Sequence, residues 1–433
     1  TKRTENTNME KNLLNIILSD DNLNEAYKRV HKNKGASGVD KMMTSDLKQH
    51  LKEHGQEIKE QIRQRKYKPQ PVLRVEIPKP DGGVRLLGIP TVTDRFIQQA
   101  ISQVIGPIFD EQFSDYSYGF RPKRYAEMAI VRALELMNDG YKWIVDIDLE
   151  KFFDTVHHDK LMRIVSKTIK DGDVISLIRK YLVSGIVIDE QYHESIIGTP
   201  QGGNLSPLLS NIMLNELDKE LEIRGLNFVR YADDCLILVG SEKAAKRVME
   251  RITKFIEEEL GLKVNATKSK VSEPKDIKFL GFAFYWNKYQ YQFKAKPHAE
   301  SVEKFKEKIK QMTSRSWGTS LDNRLRSLKY VMRGWFNYFK KYLTKTFCKR
   351  EIDPHTRYRL RMVIWKQWKK VSKRFSALQA LGVNRAKAWE WANTRKKYAR
   401  VAMSYIMTTT VTNERLAKRG FLSMETLYNN YHI

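Results

Sequence analysis

The chain has 433 residues, 41% of them hydrophobic, a formal net charge of +27 and only two cysteines. That length suits two or three domains, two cysteines exclude a disulfide framework or a zinc finger, and no run of about 18 apolar residues marks a membrane span. Residues 1–11 are polar and lack an apolar signal core, so an intracellular, cytoplasmic protein with no membrane partner is expected.

The charge is unevenly spread. Residues 291–433 carry 33 Lys and Arg against 9 Asp and Glu, +24 of the total, which leaves +3 for residues 1–290. A basic block of that size reads as a polyanion-binding surface, above all for nucleic acid.

In chain order, Leu13, Ile16, Ile17, Leu23 and Tyr27 give residues 12–31 a helical pattern, with a cap expected at Ser19-Asp20-Asp21. Residues 32–40, which include Lys34, form a loop. Residues 73–77 alternate apolar and charged as a half-exposed strand, and Pro80-Asp81-Gly82-Gly83 turns the chain into a second strand from Val84. Lys79 and Arg85 then lie on opposite arms of one hairpin and can converge on a phosphate. Helices are expected over 93–109 and 125–138, a strand over 143–149, a largely helical stretch over 160–182 and a short strand over 192–197. Residues 198–203 form a glycine-rich loop, where backbone can approach a ligand closely. A helix follows from Ser206-Pro207 to Leu221, with Ser206 as cap. Another amphipathic helix is expected over 244–260.

From Pro297 the character changes. Residues 301–312 read as a Lys-rich helix. Residues 321–342 read as a second, with Leu325, Leu328, Met332, Trp335, Phe336 and Phe339 at helical spacing as core. Residues 358–370 pack one face and offer basic residues, Lys366 among them, on the other. A last module begins at Arg385, with Arg395-Lys396-Lys397 as a phosphate-binding candidate.

The chemistry centres on residues 228–240, F-V-R-Y-A-D-D-C-L-I-L-V-G. Two apolar runs flank a polar knot, the pattern of a β-hairpin with Asp233 and Asp234 at its tip. Adjacent acids in an apolar hairpin repel one another, and Mg²⁺ needs oxygen ligands of this kind. Residues 143–156, W-I-V-D-I-D-L-E-K-F-F-D-T-V, place Asp146 and Asp148 on one face of a second apolar strand. Acids on two separate strands make a plausible two-metal site, which clamps attacking and leaving oxygens in phosphoryl or nucleotidyl transfer.

Tyr231-Ala232-Asp233-Asp234 resembles the Y-x-D-D box of reverse transcriptases. Asp148, followed by Phe153, resembles their first metal aspartate and steric gate, and Thr199-Pro200-Gln201-Gly202-Gly203 with Leu205-Ser206-Pro207 resembles the box between them. Ser117-Tyr118-Gly119-Phe120-Arg121-Pro122 and the Lys34 loop bring the wording closest to group II intron-encoded reverse transcriptases, which are also maturases. Arg333-Gly334-Trp335-Phe336-Asn337-Tyr338-Phe339 resembles the maturase thumb signature, and Phe279-Leu280-Gly281-Phe282 the primer-grip turn. The two cysteines and the end of the chain soon after the basic module resemble the compact subclass that lacks an endonuclease.

The resemblance implies an α+β right-hand polymerase: fingers and an antiparallel-sheet palm with an N-terminal extension over 1–290, a helical thumb over 291–350 and a basic helical DNA-binding domain over 351–433. It implies RNA-dependent DNA synthesis together with help in splicing and retrohoming. Two Mg²⁺ ions, with Mn²⁺ as a substitute, would be held by Asp148, Asp233 and the Leu149 carbonyl, with Asp234 a weaker ligand and Asp146 structural. Lys79, Arg85, Phe153 and Gln201 would contact the dNTP. Lys268 occupies the place of a proton donor to pyrophosphate, with Lys263 and Lys270 as alternatives. Lys34, Arg121, Arg333, Lys366, Arg395, Lys396 and Lys397 would contact nucleic acid. The implied partners are group II intron RNA, an RNA template with a DNA primer, target DNA and dNTPs; a homodimer is compatible with the sequence. Two other readings stay open on sequence alone: a domesticated or retron-like reverse transcriptase without an intron, and an RNA-binding splicing factor without polymerase activity. The maturase-like thumb argues against the first and the intact acid set against the second.

Overall fold

The computed structural model describes residues 12–78, 83–194, 197–199 and 202–432. The chain divides into two compact units, residues 1–274 and 275–433. Redrawn at that boundary, the charge asymmetry sharpens: residues 275–433 hold 36 Lys and Arg against 10 Asp and Glu, +26, which leaves +1 for the first unit. The domain boundary drawn after residue 290 would cut a hairpin that pairs Asn287 with Gln292, so the fold places the break earlier.

In the first unit the strands are β1 (Val72–Pro78), β2 (Val84–Ile89), β3 (Trp143–Ile147), β4 (Ile186–Ile188), β5 (Gln191–His193), β6 (Asn227–Tyr231), β7 (Asp234–Val239) and β8 (Lys270–Ser272). One sheet has the order β2-β1-β4-β5, in which β1 and β4 run parallel. The other has the order β6-β7-β3-β8 and is antiparallel throughout. Helices Val92–Asp110 and Ser206–Ile223 send Phe96, Ile97, Ile101, Ile105, Leu209, Met213 and Leu217 into one apolar core with Val145, Ile147, Phe228 and Ile237. This is the α+β layout the sequence predicts, helices packed on an antiparallel sheet.

The break expected at Ser19 is real. Its hydroxyl accepts from the backbone N–H of Asn22 and starts the helix Asp20–Asn33. The stretch read as largely helical over 160–182 is two helices, His158–Thr168 and Gly172–Leu182, separated at Asp171. The Asp171 carboxylate accepts from the N–H groups of Asp173 and Val174, and also from Leu14 at 2.9 Å, so it caps one helix and pins another. Ser206 is the first helical residue rather than the cap. The helix Leu47–Arg63 has no counterpart among the expected elements.

The second unit begins with β9 (Lys278–Phe279), β10 (Phe282–Asn287) and β11 (Gln292–Pro297), a small antiparallel sheet in the order β11-β10-β9. Helices Ala299–Met312 and Leu321–Phe339 follow, then Asp353–Gln367 and a series of shorter helices ending with Met424–Tyr431. The aromatic stripe is core, as its spacing predicts. Phe282 lies 4.7 Å from Phe339 between ring centroids, and Trp335 stacks on Phe305 at 4.5 Å. Asp353 is fully buried and accepts from the N–H groups of Met424 and Glu425 at 2.7 and 3.0 Å, which ties the last helix to the middle of the unit.

Candidate active site

The β6–β7 hairpin closes through a two-residue turn, Ala232-Asp233, between the paired Tyr231 and Asp234. Ala232 takes a left-handed φ of 58°, a conformation that favours glycine. Three neighbours hold it there. Arg230 is completely buried and donates from Nη1 to the Ala232 carbonyl at 2.8 Å and to Asn211 Oδ1 at 3.1 Å. Its Nε and Nη2 meet the two carboxylate oxygens of Asp218 at 2.6 and 2.5 Å, a bidentate pair on the helix Ser206–Ile223. Asn211, on the same helix, donates to the Gly119 carbonyl at 2.8 Å. Gly119 lies flat against the turn, where a Cβ would collide with the backbone of Tyr231 and Ala232. The Tyr118 N–H donates to the Arg230 carbonyl, and the Arg230 N–H to the Tyr116 carbonyl, both at 2.9 Å. The turn is therefore braced from behind while Asp233 and Asp234 stay exposed.

Across the sheet, β3 pairs with β7 from Trp143↔Val239 to Ile147↔Cys235. One residue beyond that ladder stand Asp148 on the β3 side and Asp234 on the β7 side, so the acids of the two segments meet at one end of the sheet. The Asp148 N–H donates to Ser269 Oγ at 3.0 Å and its carbonyl accepts from the Asn265 N–H at 2.8 Å. Leu149 bridges to Val264, and both bonds of that bridge come from its neighbours, Asp148 and Glu150. The Leu149 carbonyl itself thus faces away from Val264. Asp146 pairs in register with Lys270. Burial raises its pKa to about 6; Lys270 opposes the rise and Asp148 adds to it.

These donors are all oxygen: exposed carboxylates at the turn, Asp148, and a carbonyl turned out of its ladder. That set fits a hard divalent cation such as Mg²⁺. Among the described residues no group of three or more His, Cys, Asp or Glu side chains is gathered to hold a metal ion. Lys268 is exposed in a turn after Asn265. Of its two alternatives, Lys263 pairs with Glu150 at 2.9 Å and Lys270 lies opposite Asp146.

Phe153 is half-buried, with its ring edge-on to Phe152 at 5.3 Å. Its carbonyl accepts from the Thr199 N–H at 2.6 Å, which ties it to the glycine-rich loop. The next residue, Asp154, accepts from Arg74 Nη2 on β1 at 2.9 Å, tying the helical turn Phe152–Thr155 that follows β3 to the β1 sheet. Gly202 has φ 129° and packs on β2, where a Cβ would collide with the Gly88 carbonyl. Arg85 is exposed on β2 and pairs with Ile77. Lys79 and Gln201 lie outside the described residues.

The nucleic-acid candidates divide. Lys34, Arg333, Arg395, Lys396 and Lys397 are exposed, the last three in the loop between helices Arg385–Ala392 and Tyr398–Met403. Lys366 is half-buried and donates to the Arg315 carbonyl at 2.9 Å. Arg121 is a correction. Its side chain is 3% exposed, with Nε on Asp110 at 2.6 Å and Nη1 on the carbonyls of Ser114 and Ser117. It ties down the loop that braces the β6–β7 turn and offers no face to a phosphate. Sequence reading passed over Arg230, Asp218 and Asn211. One signal was present: a charged residue in the apolar run F-V-R-Y demands a buried partner.

Residues 77–284 match the family model described as reverse transcriptase (RNA-dependent DNA polymerase), and residues 302–382 match the group II intron maturase-specific domain. Protein YkfC of Escherichia coli is 33% identical over 312 residues, 63% of this chain and 81% of that protein. Group II intron-encoded protein LtrA of Lactococcus lactis is 36% identical over 251 residues, 57% of this chain and 41% of its own length. The putative COX1/OXI3 intron 2 protein of Saccharomyces cerevisiae is 31% identical over 275 residues, 50% of this chain and 32% of its own length. The chain belongs to the group II intron reverse transcriptase–maturase family. It spans less than half the length of these two intron proteins. Among the described residues no helix is long and apolar enough to cross a membrane.

Proposed function

We propose that this chain copies RNA into DNA as an RNA-directed DNA polymerase, and that it also grips group II intron RNA to assist splicing and retrohoming. The first half is supported by the strand register, which sets Asp148 opposite Asp234 with Asp233 in the adjoining turn and the Leu149 carbonyl turned from Val264, at one end of a braced antiparallel sheet. Fingers and palm lie in the first unit; the thumb and the basic DNA-binding helices lie in the second.

The 3′-hydroxyl of a DNA primer on its RNA template attacks the α-phosphate of a dNTP, and pyrophosphate leaves. Asp148, Asp233 and the Leu149 carbonyl would hold two Mg²⁺ ions, or Mn²⁺ in their place, with Asp234 as a weaker ligand, and the bound ions would neutralise the charge that builds on the attacking and leaving oxygens. Lys79 and Arg85 steady the triphosphate and Gln201 contacts the nucleotide. Phe153 sits beneath the sugar, where a 2′-hydroxyl would collide with its ring. Lys268 hands a proton to the departing pyrophosphate. Intron RNA and target DNA are held by the basic second unit through phosphates and shape.

Primer extension on an RNA template tests this. Full-length cDNA is expected with Mg²⁺, loss of it with a chelator, and recovery with Mn²⁺. No cDNA under any divalent ion would refute the polymerase reading and favour a splicing factor.

A further inference from the structure

The β10–β11 hairpin ends in Lys288-Tyr289-Gln290-Tyr291, beyond the last pair Asn287↔Gln292. Tyr289 is 95% exposed and Tyr291 80%. The loop is nonetheless ordered. The Asn287 side-chain carbonyl accepts from the N–H groups of Tyr289 and Gln290 at 3.0 and 3.2 Å, and Trp286 lies edge-on to Phe293 at 5.1 Å beneath it. Tyr291 has a left-handed φ of 50°. A bulky residue costs stability in a conformation that glycine takes freely, and such outliers gather where function holds them.

One face of the same hairpin continues the chemistry. Tyr285 pairs with Lys294, and Lys296 Nζ stands 5.3 Å from the centroid of the Tyr285 ring. Residues 282–297, the hairpin itself, contain three lysines, Lys288, Lys294 and Lys296, and no acid. Rings without packing partners beside uncompensated ammonium groups fit one class of ligand, which supplies flat bases and phosphates together. Paired duplex hides its base faces, whereas unpaired bases stack on exposed aromatics whatever their sequence. A second copy of the chain would set lysines against lysines.

We propose that the tip of the β10–β11 hairpin is a stacking platform for unpaired bases in the loops of a folded RNA, with Tyr289 and Tyr291 as the stacking groups and Lys288, Lys294 and Lys296 as phosphate contacts. The proposal rests on the RNA-binding half of the function above and names the surface and the RNA feature it takes.

The test compares an RNA hairpin with about ten unpaired loop nucleotides to a fully paired RNA duplex of equal length. The full chain is used as wild type, Tyr289→Ala with Tyr291→Ala, and Tyr289→Phe with Tyr291→Phe. The double alanine variant should lose roughly 5- to 100-fold in affinity for the looped RNA, change little on the duplex and keep its salt slope. The double phenylalanine variant should bind as wild type does. Tyr291→Gly should weaken looped-RNA binding with its thermal midpoint unchanged or raised, since glycine suits that φ. Lys288→Ala with Lys294→Ala should instead flatten the salt slope by about 0.7 for each phosphate no longer neutralised. Looped-RNA affinity within about twofold of wild type in the double alanine variant, or an equal loss on the duplex, overturns the proposal. Wild-type protein that bound neither RNA would overturn the RNA-binding reading and this proposal with it.

Discussion

The first unit carries a net charge of +1 over 274 residues, and the second +26 over the remaining 159. The contrast appears again in how each unit presents a hairpin tip. The β6–β7 tip bears acids and is braced from behind by a buried ion pair, Arg230 with Asp218, and by Asn211 and Gly119. The β10–β11 tip bears two tyrosines and a lysine and is ordered by its own strands and Asn287. Both tips hold a non-glycine residue at positive φ, Ala232 at 58° and Tyr291 at 50°. Under the proposed function the difference is a division of labour. Chemistry would need oxygens fixed to within a fraction of an ångström, which a turn immobilised by buried polar groups can supply. Gripping a polyanion would need charge and accessible rings, which residues left in water can supply.

The largest effect expected is on chemistry. Asp148→Ala or Asp233→Ala should lower cDNA synthesis by at least roughly a thousandfold, since several kcal/mol of charge stabilisation are lost. Filter binding should find RNA affinity within a few-fold of wild type. Near-normal extension by either variant would sink the assignment.

Next comes the brace. Arg230→Ala strands the buried Asp218 carboxylate and should cost about 3–5 kcal/mol of stability in denaturant titration. Asp218→Asn, which leaves one acceptor for two guanidinium N–H groups and the buried Arg230 charge without its counter-ion, should cost a similar amount. Equal stability of all three proteins would show that the turn does not depend on its support.

Sugar selection should change more subtly. Phe153→Val should raise the ratio of ribonucleotide to deoxyribonucleotide incorporation in single-nucleotide extension. An unchanged ratio would leave Phe153 as core packing alone. The smallest effect belongs to Ala232→Gly, which relieves the left-handed φ at the expense of chain entropy. A stability gain of up to about 1 kcal/mol is expected, measured by thermal unfolding.

Much of this was legible before the fold was known. The β6–β7 hairpin, the order of the acid-bearing strands, the Ser19 cap and the aromatic stripe of Leu321–Phe339 all follow from local pattern. What escaped was set by distant partners. Arg121 and Arg230 look alike on paper as basic residues in recognised motifs. Only tertiary packing sinks one onto Asp110 and the other onto Asp218, 11 and 12 residues away in sequence. The helix Leu47–Arg63 has apolar residues only at Leu47, Leu51, Ile58 and Ile62, with Gly55 in its middle, too thin a stripe to announce itself. The parallel pairing of β1 with β4 joins segments more than a hundred residues apart, which no local signal encodes. The early unit boundary was hidden because the β10–β11 hairpin belongs to the basic second unit, although much of its sequence is apolar.

The central claim is that chemistry and grip are divisible between the two units, and one paired measurement tests it most directly. Asp233→Ala and the triple variant Arg395→Ala, Lys396→Ala, Lys397→Ala are each assayed for extension of a preformed short primer–template and for RNA affinity across a salt titration. The aspartate variant should lose extension and keep RNA affinity with its full salt slope. The triple variant should keep most of its extension, bind RNA more weakly and show a slope flattened by about 0.7–0.9 for each phosphate no longer neutralised. A triple variant that lost short-template extension as completely as Asp233→Ala would make the basic loop part of the polymerase itself and contradict the division.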